Sequence, residues 1–138
     1  MNSFRFDELK IGMRESFRAE VSSEKMHAFR ELSGDCNPLH NDESYAREKG
    51  FRDKVAFGML SSSFLSTLAG VYLPGEHSLI QSVEVKFLKP VYSGDNLLVS
   101  GEISEMNSTV KQIVLKVSME NQSGERVLKG KMKVIVNE

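Results

Sequence analysis

An α+β fold, with an antiparallel sheet wrapped around one long buried helix, follows from two observations on this 138-residue chain. Residues 55–73, VAFGMLSSSFLSTLAGVYL, run without a charge. Apolar side chains at Phe57, Leu60, Phe64, Leu68 and Val71 recur there at helical spacing, while Met59, Leu65, Ala69 and Tyr72 fill much of the other side. A helix that is apolar or small all round is buried, in a core or in lipid. After residue 76 the apolar period drops to two, the period of strands that cover one face. The interspersed Ser, Thr and Gly, and the charged alternating segments that follow, favour a protein core, so no membrane insertion is expected.

The elements can be taken in order. A weakly alternating strand near ESFRAEV, residues 15–21, is expected to join the later sheet. Residues 23–32, SEKMHAFREL, place Met26, Phe29 and Leu32 at helical spacing behind Ser22 or Ser23 as N-cap, with Gly34 as the stop. Asp42 and Glu43 open a short polar helix that ends at Gly50. Beyond the central helix, Val83, Val85 and Phe87 alternate with Ser82, Glu84 and Lys86 until Pro90 and the turn SGDN interrupt them. Leu97, Val99 and Ile103 continue the pattern, then Ile113, Leu115, Val117 and Met119. In the last strand Leu128, Met132, Val134 and Val136 face one way and Lys129, Lys131 and Lys133 the other. Consecutive strands with short turns make an antiparallel sheet, polar on one face. No linker-like break divides residues 1–138, which are expected to form one domain.

Composition narrows the function. The 18 Lys and Arg against 19 Asp and Glu are interspersed and leave a net charge of −1, so no nucleic-acid partner is expected. The single cysteine, Cys36, has no partner for an internal disulfide, and three scattered histidines do not show the spacing of a metal site. The start, MNSFRFDELKIGMRESF, lacks an apolar export segment, and the expected location is the cytoplasm. His27 falls in a helical pattern, as a surface or helix-packing residue, and His77 in the turn LPGEH could reach a substrate's carrier end or face solvent.

The stretch SGDCNPLH, residues 33–40, has two readings on its residues alone. In one, Asp35 caps, Asn37 turns ahead of Pro38, and His40 lies on the surface. In the other, Asp35 and His40, separated by a rigid Asn-Pro step, hold one water between two titratable groups suited to proton transfer. Phe57-Gly58-Met59-Leu60 adds a helix start whose unsatisfied N–H groups could receive a carbonyl oxygen, and Gly58 would let a substrate approach the backbone. Gly58 could equally serve close packing on the sheet.

SGDCNPLH, followed by Ala46, Phe51 and VAFGML, resembles the hydratase signature of the MaoC-like (R)-specific enoyl-CoA hydratases, whose fold is the hot dog. FLKPVYSGD, residues 87–95, is similar to the family's strand and turn after the central helix. The resemblance implies that Asp35 and His40 hold the catalytic water and that Asn37 helps to shape the site. It implies that the Gly58 N–H polarises a thioester carbonyl between the flanking Phe57 and Met59, and that Ser66 supports Asp35. Many relatives carry His where this chain has Phe57, a departure that bears on acyl choice or turnover.

The implied reaction is reversible addition of water to a trans-2-enoyl thioester, giving an (R)-3-hydroxyacyl thioester. No cofactor is implied, because coenzyme A or an acyl carrier is part of the substrate. A hot-dog thioesterase is the enzymatic alternative, and Phe57 keeps open a non-catalytic acyl-thioester binder or partner subunit. The family implies at least a homodimer, with an acyl carrier protein as a further possible partner. Arg47, Lys49, Arg52 and Lys54 would meet carrier phosphates or form a solvated face. Acyl length depends on which of Phe64, Leu65, Tyr72 and Leu79 turn inward.

Overall fold

Five strands form one antiparallel sheet in the computed structural model, which describes residues 1–138. They are β1 (Arg14–Glu20), β2 (Ser78–Phe87), β3 (Asn96–Asn107), β4 (Gln112–Glu120) and β5 (Arg126–Val136), in spatial order β1-β3-β4-β5-β2. The helical half comprises α1 (Ser23–Ser33), α2 (Pro38–Asn41), α3 (Glu43–Glu48) and α4 (Gly58–Thr67), which continues as a π-helical turn over Leu68–Tyr72. Ser22 caps α1 by accepting from the Lys25 N–H, and Asp42 caps α3 through Tyr45, as expected for short polar side chains at helix starts. One expectation changes. Residues 38–41, read as turn, make a helical turn, because Pro38 occupies its first position, where no N–H is needed, and Asn37 caps it.

The sheet's inner face and α4 share one hydrophobic core. Leu60, Leu65, Leu68 and Ala69 from the helix are buried in the same cluster as Val99, Ile103, Leu115 and Met132 from the strands. Close approach is made possible at Gly101 of β3, where an added Cβ would fall 2.8 Å from Leu68 Cδ2. The wrap covers only part of the helix. Met59, Ser63, Ser66 and Val71 remain exposed, because the five strands cover one side of the cylinder. The edge strand β2 extends past that cover, leaving Leu79, Val83 and Phe87 about half exposed. No helix is long and apolar enough to cross a membrane.

The turn before β3 joins the sheet to the helical half. Asp95 is only 4% exposed; its Oδ2 accepts from the Tyr92 N–H at 3.0 Å and its Oδ1 from Gln122 Nε2 at 3.0 Å. Arg52 stacks over the Tyr92 ring at 4.0 Å and reaches within 3.9 Å of the same carboxylate. Backbone bonds from Val21 to Asp95 O and from Gly94 to Val21 O fix the turn to the end of β1. Replacing Asp95 by Ala leaves two donors without a buried acceptor. We expect Asp95→Ala to lower unfolding free energy by about 2 kcal/mol, measured by urea titration.

Candidate active site

The chain leaves α1 through Gly34, whose φ of 74° is the left-handed cap that glycine adopts without strain. A ladder of short side chains then shapes the turn. Ser33 Oγ accepts from the Asp35 N–H at 3.2 Å, Asp35 Oδ1 from the Asn37 N–H at 3.0 Å, and Asn37 Oδ1 from the Leu39 N–H at 2.9 Å. Asn41 Nδ2 donates to the Asn37 carbonyl at 2.7 Å. Asn37 therefore acts through the backbone: it caps the turn that carries His40 and donates its own N–H to Asp35. The second Asp35 oxygen has no donor within the chain.

His40 is half-buried rather than superficial. Its Nδ1 lies 2.7 Å from the Val55 carbonyl oxygen. A carbonyl can only accept, so Nδ1 carries a proton and the neutral ring keeps its free lone pair on Nε2. Phe57, itself buried, packs on this ring with centroids 4.5 Å apart and meets Phe29 at 4.9 Å. The strap 55–57 is held from two sides, by Val55 N–H to Leu39 O at 3.1 Å and by Ala56 N–H to Val91 O at 2.7 Å.

That strap runs straight into α4. The Gly58 and Met59 N–H groups have no acceptor in the chain, and Phe57 provides no side-chain cap. A Cβ at Gly58 would lie 2.9 Å from Phe87 Cε1, so the missing side chain lets Phe87 of the edge strand lie over the helix start. Asp35, His40 and Gly58 all line one cleft of about 570 Å³. Its remaining wall is mainly apolar, with Phe51, Phe87, Leu88, Val91 and Leu128 prominent. Unpaired backbone donors, a carboxylate and an imidazole thus meet a mainly apolar wall, the combination that proton transfer beside a polarised carbonyl needs.

The other expected residues are distributed differently. Met59 lines the cleft but is 64% exposed. Ser66 is exposed on α4, does not line the cleft and makes no hydrogen bond to Asp35, because its position on the helix turns it from the wrapped side. Ser61, on the buried side, lines the cleft instead. Of the four candidates for an acyl wall, none lines this cleft: Leu65 is core, Tyr72 stacks on Phe17 at 4.8 Å, Phe64 is half-buried and Leu79 is exposed. The wall residues Phe87 and Leu128 escaped the sequence reading, although both stand at inward positions of the two-residue alternation. Ser61 escaped it too, and its signal was the spacing of three from Gly58.

The surrounding charges are mostly engaged locally. Arg47 bonds Glu43 at 2.6 Å and Lys49 lies 5.3 Å from the Tyr45 ring centroid. Lys89, a cleft residue, donates to Glu125 at 2.6 Å. That hydrogen bond, with one from Asn121 and the Lys89 charge, holds the Glu125 carboxyl below its ordinary range. The pairing is therefore kept above the unfolded carboxylate range and lost as pH falls through the lowered value. A larger depression, about 920 Å³, lies on the outer face of the sheet. It mixes Lys and Glu side chains, lacks an apolar wall and contains neither Asp35 nor His40. No three His, Cys, Asp or Glu side chains gather closely enough to hold a metal ion.

A helix wrapped by a five-stranded antiparallel sheet is the hot-dog fold, and its cleft carries an Asp and a His beside a free helix start. The family model described as MaoC like domain matches residues 8–125, and the chain belongs to that family. It is 30% identical over 131 residues to an (R)-specific enoyl-CoA hydratase of Rhodospirillum rubrum, covering 95% of this chain and 90% of that protein. It is 33% identical over 101 residues to a 3-hydroxybutyryl-CoA dehydratase of Methylorubrum extorquens, covering 73% of this chain and 64% of the relative. Among solved structures it resembles the unliganded R-hydratase of Pseudomonas aeruginosa, with a TM-score of 0.91, 28% identity, and coverage of 99% of this chain and 87% of that one. These relatives are hydratases and a dehydratase.

Phe57 supports both the His40 ring and the core below it. Phe57→Ala opens a cavity beneath the imidazole, and we expect a loss of about 3 kcal/mol in urea unfolding, typical of a buried Phe truncation.

Proposed function

We propose that this protein adds water reversibly to a trans-2-enoyl thioester, forming an (R)-3-hydroxyacyl thioester. The observation that carries this reading is the meeting of Asp35, His40 and the free N–H groups at the start of α4 on one apolar-walled cleft. The relatives' hydratase and dehydratase activities, and the (R) specificity named for one of them, support it.

In this mechanism the thioester oxygen accepts from the Gly58 N–H, with the helix dipole favouring the negative charge that develops. The conjugated thioester itself makes C3 electrophilic. Asp35 and His40 bind the attacking water, and His40 Nε2 is the proton acceptor left free by the Nδ1 bond to Val55. As oxygen bonds to C3, the water's proton passes to this pair. It returns to C2 from the same face, collapsing the enolate and leaving both residues as they began. Dehydration is the same path reversed. The carrier, coenzyme A or an acyl carrier protein, belongs to the substrate, and no further cofactor enters. Phe57, in the place where many relatives have His, contributes packing to this chemistry rather than a proton.

The same reading includes a homodimer. Leu79, Val83 and Phe87 are 53%, 47% and 52% exposed along an edge strand whose hydrogen-bonding groups are open on one side. A second copy covering that edge would lie beside Phe87 and close the cleft, and it is also the setting in which Ser66 of one chain could support the site. Light scattering at micromolar concentration should return the mass of a dimer; a monomer mass would contradict this part of the reading.

Activity is tested by following the enoyl absorbance of short and medium trans-2-enoyl-CoAs together with free-thiol release. Alkene loss without thiol release is expected. Asp35→Asn and His40→Gln should each lower kcat by at least about 100-fold while leaving the melting temperature within a few degrees. Thiol release would instead identify a thioesterase, and near-normal rates in both variants would remove Asp35 and His40 from the chemistry.

A further inference from the structure

Three consecutive serines lie in the first turns of α4, and they differ in one respect. Ser62 Oγ donates to the Gly58 carbonyl at 3.1 Å and Ser63 Oγ to the Leu60 carbonyl at 2.6 Å. This is the usual way in which a helical serine satisfies its hydroxyl. Ser61 does not do so. It is 2% exposed, and its Oγ has no hydrogen-bond partner in the protein. Burial without a partner is destabilising for a hydroxyl, so the most deeply buried of the three is also the one left unsatisfied.

Its location gives that hydroxyl a use. Ser61 lines the cleft with Asp35, His40 and Gly58, beside the apolar wall of Phe87 and Leu128. It follows Gly58 by three residues, about 4.5 Å along the helix axis, and so occupies the same face one turn deeper. The oxygens that take part in the proposed reaction already have partners. The thioester oxygen meets the Gly58 N–H, and the water that becomes the C3 hydroxyl meets Asp35 and His40. A hydroxyl left without a partner beside the apolar part of the cleft therefore matches a further oxygen on the ligand.

We infer that Ser61 is a specificity-determining residue, whose hydroxyl hydrogen-bonds an oxygen carried on the acyl chain beyond C3. Resting on the acyl-thioester reading of the cleft, this assigns the preferred substrates to oxygen-substituted acyl thioesters over plain hydrocarbon ones. The discrimination arises because a hydrocarbon chain leaves the buried hydroxyl unpaired, whereas an oxygen-bearing chain satisfies it. One neutral hydrogen bond of this kind corresponds to about a tenfold difference in affinity.

The test is calorimetric binding of hexanoyl-CoA and of its hydroxy counterparts substituted at each carbon beyond C3. These saturated thioesters cannot be hydrated, so the readout is independent of turnover. The intact protein should bind at least one hydroxyacyl-CoA about tenfold more tightly than hexanoyl-CoA. Ser61→Ala should bind them alike, and without ligand it should melt at or above the temperature of the unmodified protein. Ser63→Ala, which removes a hydroxyl outside the cleft, should keep the preference. The inference is overturned if no hydroxyacyl-CoA is preferred, if the preference survives in Ser61→Ala, or if that variant melts several degrees lower, since the hydroxyl would then be satisfied within the folded protein. Failure of every thioester to bind would overturn the acyl-thioester reading itself, and this inference with it.

Discussion

The contact between His40 Nδ1 and the Val55 carbonyl is the constraint on which the site depends. It fixes the ring's tautomer and ties α2 to the strap leading into α4. The strap answers with a bond from the Val55 N–H to Leu39 and continues the chain of support through Ala56 to Val91. Val91 is placed in turn by the Tyr92–Asp95 turn, which Asp95 closes. His40, helix start and sheet are therefore coupled through a short run of backbone. A shift at any member moves both His40 and Gly58, and networks of this kind lose more than one bond when one member is removed.

The fold places this network at an apolar wall. The sheet covers one side of the helix so closely that a Cβ at Gly101 would press on the Leu68 side chain, and the edge strand carries Phe87 over position 58. In the proposed reaction, charge developing near the helix start would be met by fixed donors beside an apolar wall, where a given hydrogen bond counts for more than it does in water. The outer face follows the opposite rule. Its alternating Lys and Glu side chains keep the other side of the same strands in solvent.

Much of this was legible in the sequence, for reasons that are local. Two-residue alternation located the strands, Gly34 and either Ser22 or Ser23 bounded α1, with Ser22 making the cap, and Asp42 opened α3 as short-range capping requires. Asp35, Asn37 and His40 are close in sequence, so their shared turn could be read directly. What was hidden depends on long-range placement. The uncharged stretch 55–73 suggested cover on every side, yet Met59 and Ser66 face outward because the single sheet is too narrow to enclose the helix. The Val55 carbonyl has no side-chain signature, although it determines how His40 holds its proton. Phe87 and Leu128 are read as inward residues of strands, but only tertiary structure brings them to the cleft. Ser61 differs from Ser62 and Ser63 in the sequence only by its spacing of three from Gly58; that its hydroxyl alone lacks a partner emerges from the hydrogen bonds.

The most direct measurement is the tautomer of His40, obtained from long-range proton–nitrogen correlation spectra of the nitrogen-15-labelled protein under conditions where the ring is neutral. Coupling to Val55 requires the proton on Nδ1, with Nε2 showing the chemical shift of an unprotonated nitrogen. A neutral ring protonated on Nε2 would contradict the account, because the Val55 carbonyl could then no longer be its partner and no lone pair would be left at Nε2 to accept a proton from water.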